Sequence, residues 1–181
     1  MVFKLLKKSP EGLFNMPKET IIILDNEHYT LWTLKTLLES EKYIVLDVDT
    51  IERALRSFRE FEVSALITEY RVGHTNVPDI VRELKKSFPE LYVMMLTHEN
   101  LGQGEYKKIM RAGIDDFFLK PFSSEKILLH LKKGLKQRKI FLQKKRLEEK
   151  LNQMKANGNF QDMSLSRESS SNDKSLICSR T

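Results

Sequence analysis

The chain has 181 residues, 40% of them apolar and 31% charged, which fits one domain of ordinary size with appendages and excludes a disordered or membrane composition. Its formal net charge of +6 is concentrated between Lys132 and Lys150, where nine Lys or Arg face only Glu148 and Glu149, so the basicity is local. Apolar runs such as Ile21-Ile22-Ile23-Leu24 fall far short of the roughly 20 residues that cross a bilayer. Residues 1–18 carry four lysines and no apolar stretch, and read as an N-terminal extension and not a signal peptide. The single cysteine, Cys178, has no internal partner, so a reducing cytoplasm is expected.

In chain order, residues 21–24, 43–46, 63–67, 91–96 and 117–119 read as strands, being short and rich in β-branched or aromatic residues. Residues 28–40, 51–61, 77–87 and 104–112 carry helical spacing, as in Leu31/Leu34/Leu38 and Ile80/Val81/Leu84. Thr50 or Asp49 is placed to cap the second helix, Pro78 suits the first turn of the third, and Gly113 suits a left-handed stop after the fourth. Nearly all-apolar strands alternating with helices predict a doubly wound α/β fold with a five-stranded parallel sheet. Right-handed crossovers then gather every strand-to-helix loop on one edge, where such sheets carry their sites.

That edge collects Asp25, Asn26 and Glu27 after the first strand, Glu69 after the third, Thr97 and His98 after the fourth, and Lys120-Pro121 after the fifth. Acids, a hydroxyl and a lysine on one rim form a constellation. The histidines at 28, 74, 98 and 130 have no metal-ligand spacing, and no glycine-rich turn follows the first strand, which argues against zinc and dinucleotide sites.

The segments "IIILDNE", "ALITEYR", "VMMLTH" and "RAGIDDFFLKPF" resemble, in order and spacing, the receiver domain of two-component response regulators, with its CheY-like, flavodoxin-like fold. The resemblance covers residues 19–136. It implies that Asp25 matches the first acid of the family's pair, Asn26 the second, and Glu69 the phosphoacceptor aspartate. Thr97 then matches the switch threonine, Phe117 the switch aromatic and Lys120 the phosphoryl-contacting lysine, with Pro121 a candidate for a cis bond. In the family a histidine kinase supplies the phosphoryl group and Mg²⁺ bridges the acids. The departures fall on that chemistry. Asn26 lacks the charge of an acid, which weakens Mg²⁺ attraction at Asp25, Asn26 and Glu69. Glu69 is a methylene longer than aspartate, a displacement that costs about 10²-fold in a positioned reaction. The loop "YRVGHTNV" lacks the family's Pro-Gly and Asp-Gly turns, and His98 replaces a small residue.

The expectation is therefore a degenerate receiver, not an enzyme in its own right, acting on a histidine kinase or other signalling protein. A phosphorylatable, Mg²⁺-using regulator and a basic-helix nucleic-acid binder stand as alternatives. From Ser123 the fifth helix is predicted to run on to Asn157-Gly158. Leu128, Leu131, Leu135 and Leu142 form one apolar stripe, and Ile140, Leu147, Leu151 and Met154 a second in another phase. Residues 137–157 are expected to form a basic helical extension that dimerises, with Gly134 a weak point worth about 1 kcal/mol against Ala. Residues 158–181, rich in serine, read as a disordered tail or a truncated linker.

Overall fold

Residues 19–98 and 101–156 are described by the computed structural model; the expectations for residues 1–18 and 158–181 lie outside the described residues. Strands β1 (Thr20–Leu24), β2 (Ile44–Val48) and β3 (Val63–Thr68) alternate with helices α1 (His28–Ser40) and α2 (Ile51–Glu60). A small hairpin follows, β4 (Arg71–Val72) and β5 (Thr75–Asn76), then α3 (Val77–Ser87), β6 (Tyr92–Thr97), α4 (Gln103–Ala112), β7 (Asp116–Leu119) and α5 (Ser124–Ala156). The main sheet has the order β2-β1-β3-β6-β7 and every pairing in it is parallel. This is the predicted doubly wound α/β fold with an extended C-terminal helix.

The strands read as continuous apolar runs because both faces of the sheet are covered. Alternate residues feed two cores. Ile22, Leu24, Leu66, Val93 and Met95 pack with Phe58, Val81 and Ile109 of α2, α3 and α4. Ile21, Ile23, Ile67, Met94 and Leu96 pack with Leu34 and Leu38 of α1 and Ile127 and Leu131 of α5.

Local signals act as read. The Thr50 hydroxyl accepts the Arg53 N–H at 3.3 Å and caps α2, while Asp49 binds the Arg53 guanidinium instead. Gly113 ends α4 at φ 81°. The predicted element ends differ at several places: β2 gains Asp47 and Val48 and begins after Tyr43, β7 begins one residue earlier at Asp116, and α4 and α5 begin at Gln103 and Ser124. The loop after Glu69 folds into the β4–β5 hairpin around Gly73, whose φ of 60° is where glycine is tolerated without strain.

The chain divides into two compact units between Lys139 and Ile140. In the first, α5 lies so close to β6 that a Cβ on Gly134 would meet the Tyr92 ring at 2.2 Å. Tyr92 donates its hydroxyl to Asp116 Oδ2 at 2.5 Å, and His130 Nδ1 lies 2.9 Å from Asp116 Oδ1. In the second, helical residues Ile140, Phe141, Leu147, Leu151 and Met154 are exposed. Among the described residues, no helix is long and apolar enough to cross a membrane.

Candidate functional site

Each key residue lies one position beyond a strand and is fixed by one further backbone bond. Asp25 N–H donates to Val48 O at 3.2 Å, Glu69 N–H to Leu24 O at 3.0 Å, and Lys120 N–H to Thr97 O at 2.8 Å. The sheet thus sets the spacing of the rim before any side chain is considered. Parallel strands ending level deliver the two acids and the lysine to one place.

Lys120 is the hub. Its ammonium lies 2.7 Å from Asp25 Oδ2, 2.9 Å from Glu69 Oε2 and 3.2 Å from Glu27 Oε2. An ammonium carries three N–H donors, so three carboxylates match its capacity. The Lys120 side chain is only 3% exposed, and Asp25 and Glu69 are 2% and 8% exposed. The remaining oxygens are used as well: Asp25 Oδ1 accepts the Glu27 N–H at 2.8 Å, and Glu69 Oε1 accepts the Tyr70 N–H at 2.7 Å. On Glu27, Oε2 also accepts the Thr30 hydroxyl at 2.6 Å and lies 3.3 Å from His98 Nε2.

These contacts set the protonation of the cluster. Burial alone would lower the Lys120 pKa, but its bonds to Asp25 and Glu69 outweigh that and leave it raised. Burial pushes Asp25 up, opposed by its bonds to Lys120 and the Glu27 amide. Glu27 is held down at about 2, first by the Thr30 hydroxyl and further by Lys120 and His98. Lys120 therefore stays cationic and Glu27 anionic across the neutral range.

Of the predicted site residues, Asp25, Glu69 and Lys120 converge. Asn26 is exposed. Thr97 ends β6 fully buried and takes the Lys120 N–H on its carbonyl. Phe117 is half-buried, its ring meeting Tyr106 of α4 edge-on at 5.5 Å. The Lys120–Pro121 bond is cis. His98 leans on Glu27 at the mouth of the site and is exposed. Glu27, placed on the rim by the sequence but given no role there, proves to be a third carboxylate on Lys120. It stands two residues after Asp25, at the start of α1.

Mg²⁺ requires several oxygens in near-octahedral array at about 2.0–2.1 Å. Here each buried carboxylate spends one oxygen on a backbone N–H and the other on Lys120, and Asn26 is turned to solvent. Among the described residues no group of three or more His, Cys, Asp or Glu is arranged to hold a metal ion. The residues present do not fit resident Mg²⁺.

A family model described as the response regulator receiver domain matches residues 21–132. The chain is 27% identical over 108 residues to the two-component response regulator ORR3 of Oryza sativa subsp. indica, covering 58% of this chain and 82% of that protein. It is 27% identical over 127 residues to the regulatory protein VanR of Enterococcus faecium, covering 68% of this chain but only 52% of that protein. A CheY-like receiver domain protein from Methanospirillum hungatei JF-1 superposes with a TM-score of 0.64 at 20% identity, over 67% of this chain and 97% of that one. That likeness speaks for the fold alone.

Proposed function

Because the chain belongs to the response regulator receiver domain family, a signal-transduction family, we propose that it is a receiver that works without phosphoryl transfer. The observation that carries the reading is Glu69 Oε2 bonded to the Lys120 ammonium at 2.9 Å. A phosphoryl group on an acceptor would bring negative oxygens to that lysine; Glu69 brings one permanently. The poor fit of the rim to Mg²⁺ supports the same conclusion. On this reading the protein is not an enzyme. It acts in the cytoplasm by binding a histidine kinase or another signalling protein, and it self-associates through the second half of α5. Support for self-association lies in the exposed apolar residues Ile140, Leu147, Leu151 and Met154 on that helix.

Incubation with acetyl phosphate or beryllofluoride and Mg²⁺ tests the first part. Intact mass and amide spectra are expected to stay unchanged. Stoichiometric labelling of Glu69, or a strong Mg²⁺-dependent spectral change, overturns the reading in favour of a phosphorylatable regulator. Light scattering of the full chain against residues 1–139 tests the second part: a doubled mass for the full chain alone is expected, and equal monomer masses defeat it.

A further inference from the structure

In the second unit, Ile140, Lys144, Leu147, Leu151 and Met154 of α5 recur at steps of four and three residues and so share one face of the helix. The four apolar members are 41–66% exposed, so the stripe has no cover among the described residues. Lys144 interrupts it. The Lys144 ammonium lies 3.8 Å from Glu148 Oε1, one turn on, in a long ion pair whose side chains are 74% and 61% exposed. Both groups keep capacity for a further partner. From Ile140 to Ala156 the helix carries Lys144, Lys145, Arg146, Lys150 and Lys155 against Glu148 and Glu149. Two copies of so basic a helix attract only where their charges interleave.

Direction decides whether they do. Two stripes run in the same direction and in register set Lys144 against Lys144 across the axis, and they bring Lys150 of each copy beside Lys155 of the other. Like charges at those positions oppose the pairing. Two stripes run in opposite directions match Ile140 with Leu151 and Lys144 with Leu147, and the two-fold symmetry makes each match twice. Lys144 then lays its methylenes on Leu147 of the second copy and carries its ammonium to Glu148 beside it. Lys150 comes to stand by the uncharged Gln143. The overlap is about 18 Å long, at about 1.5 Å per residue.

We propose that this stripe docks on the same stripe of a second copy of the chain, antiparallel, with Lys144 of each copy bonded to Glu148 of the other. The orientation rests on the self-association proposed above and names its geometry. The two chains enter the pair from opposite ends.

The test uses the full chain with Cys178→Ser, carrying either Ile140→Cys or Leu151→Cys, one of the two labelled with nitrogen-15. Each variant loses one apolar residue of the stripe, and circular dichroism checks that both stay helical. They are oxidised in a glutathione redox buffer, alone and mixed, and the products are read by intact mass. In the antiparallel pair like positions lie about 16 Å apart along the axis, beyond the roughly 7 Å between Cα atoms that a disulfide bridges. The mixed disulfide is therefore expected in at least about tenfold excess over either homodisulfide. Homodisulfides in excess overturn the orientation and leave self-association standing. A dimer that gives no disulfide, or all three without preference, overturns the register. A monomer mass in light scattering defeats self-association itself and the docking with it. Adding Lys144→Leu to each variant removes the like-charge clash, so homodisulfides are expected to appear; their continued absence overturns Lys144 as the residue that sets the direction.

Discussion

Replacing Lys120 with methionine removes the ammonium and keeps the length of the side chain. Asp25 and Glu69 then remain as two buried carboxylates with no cation between them. Breaking a buried ion pair by deleting one partner costs about 3–5 kcal/mol, because a charge is left uncompensated out of water. For a domain of this size that corresponds to a fall in melting temperature of roughly 10–20 °C. The pH dependence separates this cause from lost packing. An acid whose folded pKa is raised costs stability fully above that pKa and nothing below its unfolded value, 3.8 for Asp25. The variant should therefore recover as pH falls, by about 1.4 kcal/mol per unit once one carboxyl binds a proton. In the wild type the raised Lys120 pKa makes its contribution complete below 10.5 and lost only as pH rises through the folded value, and its bond to Asp25 limits the rise of that carboxyl, so the recovery at low pH is smaller than in the variant. Urea unfolding at pH 8 and pH 5 measures both. Circular dichroism is the suitable signal, because Trp32 is 66% exposed and reports little of the core. A cost below about 1 kcal/mol, or an equal cost at both pH values, refutes the charge argument.

Gly134→Ala gains about 1 kcal/mol of helix propensity but drives a methyl into the Tyr92 ring, and overpacking of that kind costs about 1–3 kcal/mol. Net destabilisation in thermal melts is expected, and a stabilised variant contradicts the close packing of α5 on β6. Asp116→Asn keeps one carbonyl acceptor for Tyr92 and His130 where the carboxylate offered two oxygens, at a cost of about 1–3 kcal/mol. Chemical denaturation reads this directly, and a neutral result removes Asp116 as the link between β7 and α5. Glu27, held at about 2, contributes stability that is complete above 4.5 and lost as pH falls through 2. The gap between wild type and Glu27→Gln should therefore close across that window in melts at graded pH.

The strands and the rim were legible in the sequence because both follow from local pattern. Short β-branched runs specify buried parallel strands, and topology alone brings their ends together. Gly113 and Thr50 were legible because their φ and capping requirements are local. What was hidden is what only tertiary packing creates. Gly134 reads as a defect in a helix, yet in the fold it is the place where an aromatic ring needs the room of a missing Cβ. Asp116 and His130 are fourteen residues apart and Tyr92 lies on another strand, so no spacing rule joins them. Glu27 belongs with the acids on its own strand end, but its reach to Lys120 depends on where α1 begins.

A phosphoryl group carries up to about −2 charge and three acceptor oxygens, enough to serve a lysine and a hydroxyl at once. Glu69 carries two oxygens, and the structure gives one to Lys120 and the other to the Tyr70 amide. On the reading proposed above, Glu69 would stand for the lysine half of a phosphorylated site, its bonds going to Lys120 and the Tyr70 amide and not to Thr97. The aromatic at Phe117, packed on Tyr106, should then be indifferent to the charge at position 69. Glu69→Gln is expected to loosen Lys120, seen as a changed ammonium environment, while the ring-to-ring contact of Tyr106 and Phe117 in nuclear Overhauser spectra stays as it is. If that contact is lost along with the charge, Glu69 drives the aromatic after all, and the static site is a complete imitation of the phosphorylated one.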